Sequence, residues 1–268
     1  MCLLALAWQA HPRYRLVVAA NRDEFHERPT EPLHEWTGPP PILAGRDTRA
    51  GGTWLAFDRA HRFGIVTNYR DRERPAPDAP SRGRLIPDYL SQTASAREFL
   101  AALAPAAGRY SGFNLLLADG SGLRYASNRA SPFARLLPPG IYGLSNHLLD
   151  TPWPKVERVR RTLRAWLEHL SEARSAPIPD TDALLSMLSD RTPALAGEPL
   201  PRTELSPEWE RVLSAPFVLH PEYGTRCSTV ALIESSGGLL VRERRFDASG
   251  AVTGETEVER PPPAMTAP

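Results

Sequence analysis

Short apolar runs arrive in pairs along this chain, each pair joined by a turn, and that pattern restricts the fold more than any other feature. "CLLALAWQ" (2–9) and "RLVVAANRDE" (15–24) flank "AHPRY". "TWLAFD" (53–58) and "RFGIVTNYR" (62–70) flank "RAH", and "FNLLLADG" and "GLRYASN" meet at "DGSG". Each pair predicts an antiparallel hairpin. "GIYGLSNHLLD" (140–150) predicts a further strand, and "RCSTVALIES", "LLVRERRFD" and "VTGETEVER" predict three more near the end. Helical periodicity appears between these groups. "RLIPDYLSQ" and "AREFLAALAP" read as short helices, and 180–190 reads as another with Asp180 as N-cap. In 153–170, Val156, Val159, Leu163, Trp166, Leu167 and Leu170 form one stripe. Hairpins with helices inserted between them mean α+β rather than the βαβ alternation of a parallel sheet. The proline-rich segment 25–52 reads as a long loop.

At 268 residues and 41% hydrophobic, the chain can bury a sizeable core. With no composition break or repeat, residues 1–258 are expected to form a single domain and 259–268 a disordered tail. The net charge of +1 gives no field to attract nucleic acid, so no nucleic-acid partner is expected. Lys155 is the only lysine among 32 basic residues, an arginine bias that matches the proline and alanine richness. "RDRERP" (70–75) therefore reads as a solvated loop. The run from Cys2 to Trp8 is too short for a signal peptide or a membrane span, so no integral membrane segment and a cytoplasmic location are expected. Two cysteines, Cys2 and Cys227, are too few for a disulfide scaffold, and Cys227 in its apolar strand reads as a buried small residue.

Cys2 stands directly after the initiator methionine. Loss of Met1 would place a thiol and a free α-amine on one residue. The amine titrates near ~8, so it can act as base to its own thiol. Such a site also needs a cation or hydrogen-bond donor for the thiolate, a carboxylate for the amine, and donors for an oxyanion. Candidates stand at strand ends. A tight first hairpin brings Asn21, Arg22, Asp23 and Glu24 near the start of the first strand. Asn68 ends "VTN", Asn146 ends "LSN", and Arg226 opens "RCSTV". Arg22 and Asp23 are adjacent, so a regular strand turns them to opposite faces, and either one could face the thiol. Asn68 and Asn146 read equally as turn residues. Gly51 and Gly52 read as a tight turn, with Trp54 in the core. His26 and His34 flank the long loop, where they could gate a pocket or ligate haem iron; no metal-ligand spacing, phosphate loop or dinucleotide fingerprint appears.

"MCL", "ANRDE", "GGTW" (51–54), "TNYR" (67–70), "SRG" (81–83), "GLSN" (143–146) and "GTRCSTV" (224–230) together resemble the NRDE family, also called the transport and Golgi organisation protein 2 family. The resemblance extends from residue 2 to about residue 247. It implies the four-layer αββα sandwich of N-terminal nucleophile hydrolases, whose well-understood members include cysteine amidases that cleave bile-salt conjugates and penicillin V. It further implies Cys2 as nucleophile, Asn68 and Asn146 as amine-orienting and oxyanion-binding groups, and Arg22, Asp23 and Arg226 as neighbours that tune the thiolate and amine. Asn21, Glu24, Trp54 and Tyr69 are the expected substrate contacts. The expected activity is hydrolysis or acyl transfer at an amide or acyl thioester, with no cofactor. The alternative is a non-catalytic carrier of haem or an acyl lipid in the same pocket. Oligomeric state is left open.

Overall fold

The computed structural model describes residues 3–38, 41–70, 78–172, 181–198, 200, 201, 203 and 205–262. Its strands are β1 (Leu3–His11), β2 (Tyr14–Phe25), β3 (Thr30–Glu35), β4 (Leu43–Asp47), β5 (Leu55–Phe57), β6 (Phe63–Asn68), β7 (Phe113–Asp119), β8 (Gly122–Ser127), β9 (Ala134–Leu137), β10 (Gly140–Leu144), β11 (Tyr223–Glu234), β12 (Leu239–Phe246) and β13 (Val252–Arg260). The helices are α1 (Leu85–Leu90), α2 (Ala96–Leu103), α3 (Pro154–Glu172), α4 (Thr181–Leu188) and α5 (Pro207–Val212).

The strands form two antiparallel sheets, ordered β10-β1-β2-β11-β12-β13 and β3-β4-β5-β6-β7-β8-β9. Strand period two then sorts the apolar side chains into three layers. Leu4, Leu6, Leu16 and Val18 of the first sheet pack against Phe57, Phe63, Ile65 and Leu116 of the second. The opposite face of the first sheet, with Leu3, Ala5, Val17 and Leu232, packs on Val156, Val159 and Leu163 of α3 and Leu184 and Leu188 of α4. On the outer face of the second sheet, Leu115 and Leu117 pack on Leu85, Ile86 and Leu100 of α1 and α2. This is the four-layer αββα arrangement. It explains why β1 and β2 read as nearly continuous apolar runs: both of their faces are buried.

The predicted hairpins and helices appear, with four differences. Segment 25–52 is not all loop, because it contains β3 and β4. β3 is an edge strand, where Pro32 costs no ladder hydrogen bond, and its alternation shows only in buried Leu33. β9 and α5 are short elements without a clear period of their own. The last strand runs to Arg260, past the expected start of a tail at 259. Arg260 donates to the Asp58 carbonyl at 3.0 Å and pairs with Glu35, which tethers this end of the first sheet to the second. Asp180 and residues 71–75 lie outside the described residues.

Two of the motifs touch each other. Gly51 has φ +67°, which favours glycine. A Cβ on Gly52 would lie 2.4 Å from the backbone carbon of Gly83, so "GGTW" and "SRG" pack backbone on backbone. Among the described residues, no helix is long and apolar enough to cross a membrane.

Candidate functional site

β1 begins between two of the sequence motifs. Leu3 is paired with Asn21 of β2, and Leu4 with both Ala20 of β2 and Leu144 of β10. The first described residue of β1 therefore sits at the "NRDE" end of one neighbour and the "GLSN" end of the other. Cys2 lies outside the described residues and directly precedes Leu3 in the sequence. β11 lies on the far side of β2, pairing Asp23 with Thr225 and Arg22 with Cys227, and Arg226 forms the bulge between them.

Residues 21–24 divide between the two faces of β2. Arg22 is 3% exposed and turns into the inter-sheet layer, its guanidinium 4.4 Å from the Trp54 ring centre. It donates to Thr30 Oγ1 at 3.1 Å. Asp23 is also buried, and its Oδ1 accepts from Thr225 Oγ1 at 2.7 Å, while Thr225 Oγ1 accepts from the Val218 amide. Asn21 faces the helical layer instead. Its Nδ2 donates to the carbonyls of Leu188 and Pro216 at 2.8 and 2.9 Å, and its Oδ1 accepts from Ser228 Oγ at 2.6 Å. Period two carries the Asn21 amide, an expected substrate contact, to the side of the sheet away from the inter-sheet layer, where it braces the end of α4. Glu24 is half-buried, accepts from the Phe25 amide, and stands 3.8 Å from Arg28.

The two asparagines meet across the sheets. Asn146 is buried and its Nδ2 donates to the Asn68 carbonyl at 3.0 Å. The Arg70 amide donates to the Asn146 carbonyl at 2.7 Å, and Thr67 Oγ1 donates to the Ser145 carbonyl at 3.1 Å. An amide nitrogen carries two hydrogens, and this bond engages one of those on Asn146. The Asn68 residue is exposed. Beside them, Tyr69 Oη and His147 Nε2 are 2.9 Å apart, and His147 Nδ1 is 2.8 Å from Thr151 Oγ1. The Thr151 hydroxyl gives its hydrogen to the Leu148 carbonyl, so it accepts from Nδ1–H, and Nε2 accepts from Tyr69. Burial holds His147 below the usual histidine range, which favours this neutral form. Tyr69, the expected substrate contact, therefore gives its hydroxyl hydrogen to an oriented imidazole. Sequence reading missed His147, although it directly follows Asn146.

Arg226 Nη1 donates to the carbonyls of Phe25, His26 and Arg28 at 3.0, 3.1 and 3.2 Å. It holds the loop after β2 against β11. Next to it a cavity of about 200 Å³ opens between the sheets, lined by Thr30, Trp54, Arg226, Cys227, Glu243 and Arg245 among others. Cys227 is buried as expected, and burial pushes its thiol well above the usual range, with the Glu243 charge adding to the effect. Glu243, 1% exposed, accepts from the Leu33 amide at 2.9 Å and from Arg245 at 3.4 Å. Burial raises its carboxyl as well. Thr225 lies within the motif "GTRCSTV", but Glu243 carries no sequence signal of its own; only strand register brings it here. His26 sits 3.0 Å from the His220 carbonyl, whereas His34 contacts Pro32 on the surface. Among the described residues, no three histidine, cysteine or acidic side chains cluster as a metal site.

Residues 1–248 match the family described as Transport and Golgi organisation 2. The chain is 32% identical over 263 residues to the mouse Transport and Golgi organization 2 homolog, covering 91% of this chain and 92% of that one. With the Bos taurus homolog the identity is 33% over 269 residues, covering 96% and 97%. The Drosophila melanogaster protein is 27% identical over 255 residues, covering 88% of each. Among solved structures, the Caenorhabditis elegans ortholog of N-acylethanolamine-hydrolyzing acid amidase aligns with a TM-score of 0.48 and 14% identity, over 85% of this chain and 92% of that one. By full-length sequence similarity, this chain belongs to the Transport and Golgi organisation 2 family.

Proposed function

We propose that this protein is an N-terminal-cysteine hydrolase or acyltransferase acting on an amide or thioester. One observation carries the reading: buried Arg22 and Asp23 of β2, the latter bonded to Thr225 of β11, and the clasp of Asn146, just after β10, on Asn68 of β6 lie around the end of the sheet where β1 begins. With Met1 removed, we read residue 2 onto the inter-sheet face that Leu4 and Leu6 occupy, the face that Arg22 shares. The α-amine would take the thiol proton and the sulfur would attack the acyl carbon. Asn146, through its second amide hydrogen, and Asn68 would stabilise the oxyanion. The amine would return the proton to the leaving amine or thiol. Water, or a second nucleophile in acyl transfer, would then release the acyl group and restore the thiol. Asp23 is suited to orienting the amine and Arg22 to holding the thiolate.

Intact mass before and after brief iodoacetamide at pH 7, on wild type and Cys2→Ala, tests this. The expected result is loss of Met1 and one fast, Cys2-dependent label, since the buried Cys227 thiol reacts slowly. Retained Met1, or a Cys2 that labels no faster than a free thiol, would sink the reading. The carrier alternative would then be taken up by haem and lipid titration.

A further inference from the structure

At the far end of β1 the first hairpin opens into a recess that the proposed chemistry does not use. Arg15 has no register partner on either side there. Trp8 pairs with Leu16 and His11 with Tyr14 across to β1, while Ile233 pairs with Leu16 and Glu234 with Tyr14 across to β11. This bulge switches faces: Leu16 joins the inter-sheet layer, whereas Tyr14 joins the outer layer beside Trp166. On β1, Gln9 holds φ +46°, a left-handed conformation that side chains rarely adopt. A cavity of about 520 Å³ opens at this bulge, bordered by His11, Tyr14, Arg15 and Ser235. Three of its polar atoms are buried without a hydrogen-bond partner among the described residues: Tyr14 Oη, on a side chain 2% exposed, His11 Nε2 and Arg15 Nε. All three can donate. The Arg13 amide donates to His11 Nδ1 at 3.2 Å, so the hydrogen of the neutral ring is on Nε2. Burial, aided by Arg13, holds that imidazole below the usual range, and burial keeps the Tyr14 phenol protonated. Burial alone lowers Arg15, with no carboxylate near enough to offset it. Among the described residues no acid borders this cavity. Glu234, the acid that acts on Tyr14, pairs with Arg13 at 3.5 Å and accepts from Ser236 Oγ at 2.9 Å. It borders the adjoining cavity beyond Tyr14, where Arg13, Arg260, Glu234 and Glu259 balance and no preference follows.

We propose that this recess is a binding site for an oxyanion, a carboxylate or a phosphate, held by the Arg15 guanidinium and hydrogen-bonded by Tyr14 Oη and His11 Nε2. A charged acceptor answers three buried donors at once, which a neutral apolar or a cationic ligand does not. The His11 ring stacks on Tyr14 at 5.7 Å, so the two neutral donors are held side by side. The site does not depend on the reading of residue 2. Leu3 and His11 are the two ends of β1, about 26 Å apart along a strand of this length.

Calorimetric titration of the full chain at pH 7 and constant ionic strength tests it, with inorganic phosphate, benzoate and uncharged benzamide as probes. At least one anion should bind saturably at millimolar concentration and more tightly than benzamide, and the tighter anion identifies the source. Its affinity should fall about ten-fold in Arg15→Gln, which removes the cation, and about three-fold in Tyr14→Phe, which removes one donor. Tyr14→Phe deletes a hydroxyl that no protein group holds, so its urea midpoint should not fall. That variant keeps the test readable should Arg15→Gln fold poorly. No saturable binding of either anion, benzamide binding as tightly as the anions, or an affinity unchanged in either variant overturns the proposal.

Discussion

At the scale of the residue, the four letters of "NRDE" do four different jobs. Arg22 joins the inter-sheet layer, Asp23 binds Thr225, and Glu24 stays near the surface with Arg28. Asn21 is a brace for the far layer, and this can be tested. Asn21→Asp would put an acceptor against the carbonyls of Leu188 and Pro216 in a fully buried position. Two lost bonds and a buried acid should cost about 3 kcal/mol. Urea denaturation would check it, and a loss below ~1 kcal/mol would mean that the brace contributes little. The opposed faces of Arg22 and Asp23 were legible from the alternation of a strand. The direction of Asn21 was not, because α4, which it binds, begins 160 residues further along the chain.

At the scale of the element, single arginines attach whole segments. Arg62 at the start of the β6 hairpin arm pairs with Asp58 at 2.6 Å. It also donates to the carbonyls of Leu90 at 2.9 Å, Gln92 at 2.8 Å and Ala94 at 3.4 Å. These carbonyls form the C-terminal end of α1 and the link to α2, so one side chain fastens the outer helical layer to the second sheet. Arg62→Met keeps the stem but orphans those carbonyls and leaves Asp58, 6% exposed, without its cation. The loss should be about 2–4 kcal/mol. Hydrogen exchange should place the added opening in α1 and α2, while α3 stays protected; uniform loss across the chain would contradict a local fastener. Elements with a long apolar stripe, α3 above all, were legible in the sequence. β3, β4 and β9 were not: β3 and β9 are edge strands that bury one residue each, and β4 is five residues long, too short for a period of its own.

At the scale of the whole molecule, acid stability depends on the histidines that the layers partly desolvate. Burial holds His11, His61 and His147 below the usual value of 6.5. Each then binds a proton more readily unfolded than folded, so stability falls as pH drops through about 6.5. Asp47, Asp119 and Asp190, held below the usual 3.8, lose their contribution only under more acid conditions. Glu243 acts in the opposite direction: its raised carboxyl favours the folded state as it protonates. The urea midpoint should therefore fall between pH 7 and 5.5, and the double variant His61→Gln/His147→Gln should flatten that slope. A wild-type midpoint that does not fall over this range, or an unchanged slope in the double variant, would show that these histidines do not govern acid stability.

Local chemistry was enough to determine the hairpins, the long helix, the mixed class and the set of polar residues at strand ends, because alternation, period 3.6 and turn residues act over a few positions. The family was legible too, since its motifs are contiguous strings. Tertiary structure decided which of those residues meet. Arg22 stacks on Trp54, Asn146 clasps Asn68, Tyr69 engages His147, and Glu243 shares a cavity with Arg226, all through sheet register or packing between layers. Those pairings depend on which strands become neighbours, a choice made by burial of the whole core rather than by any segment alone.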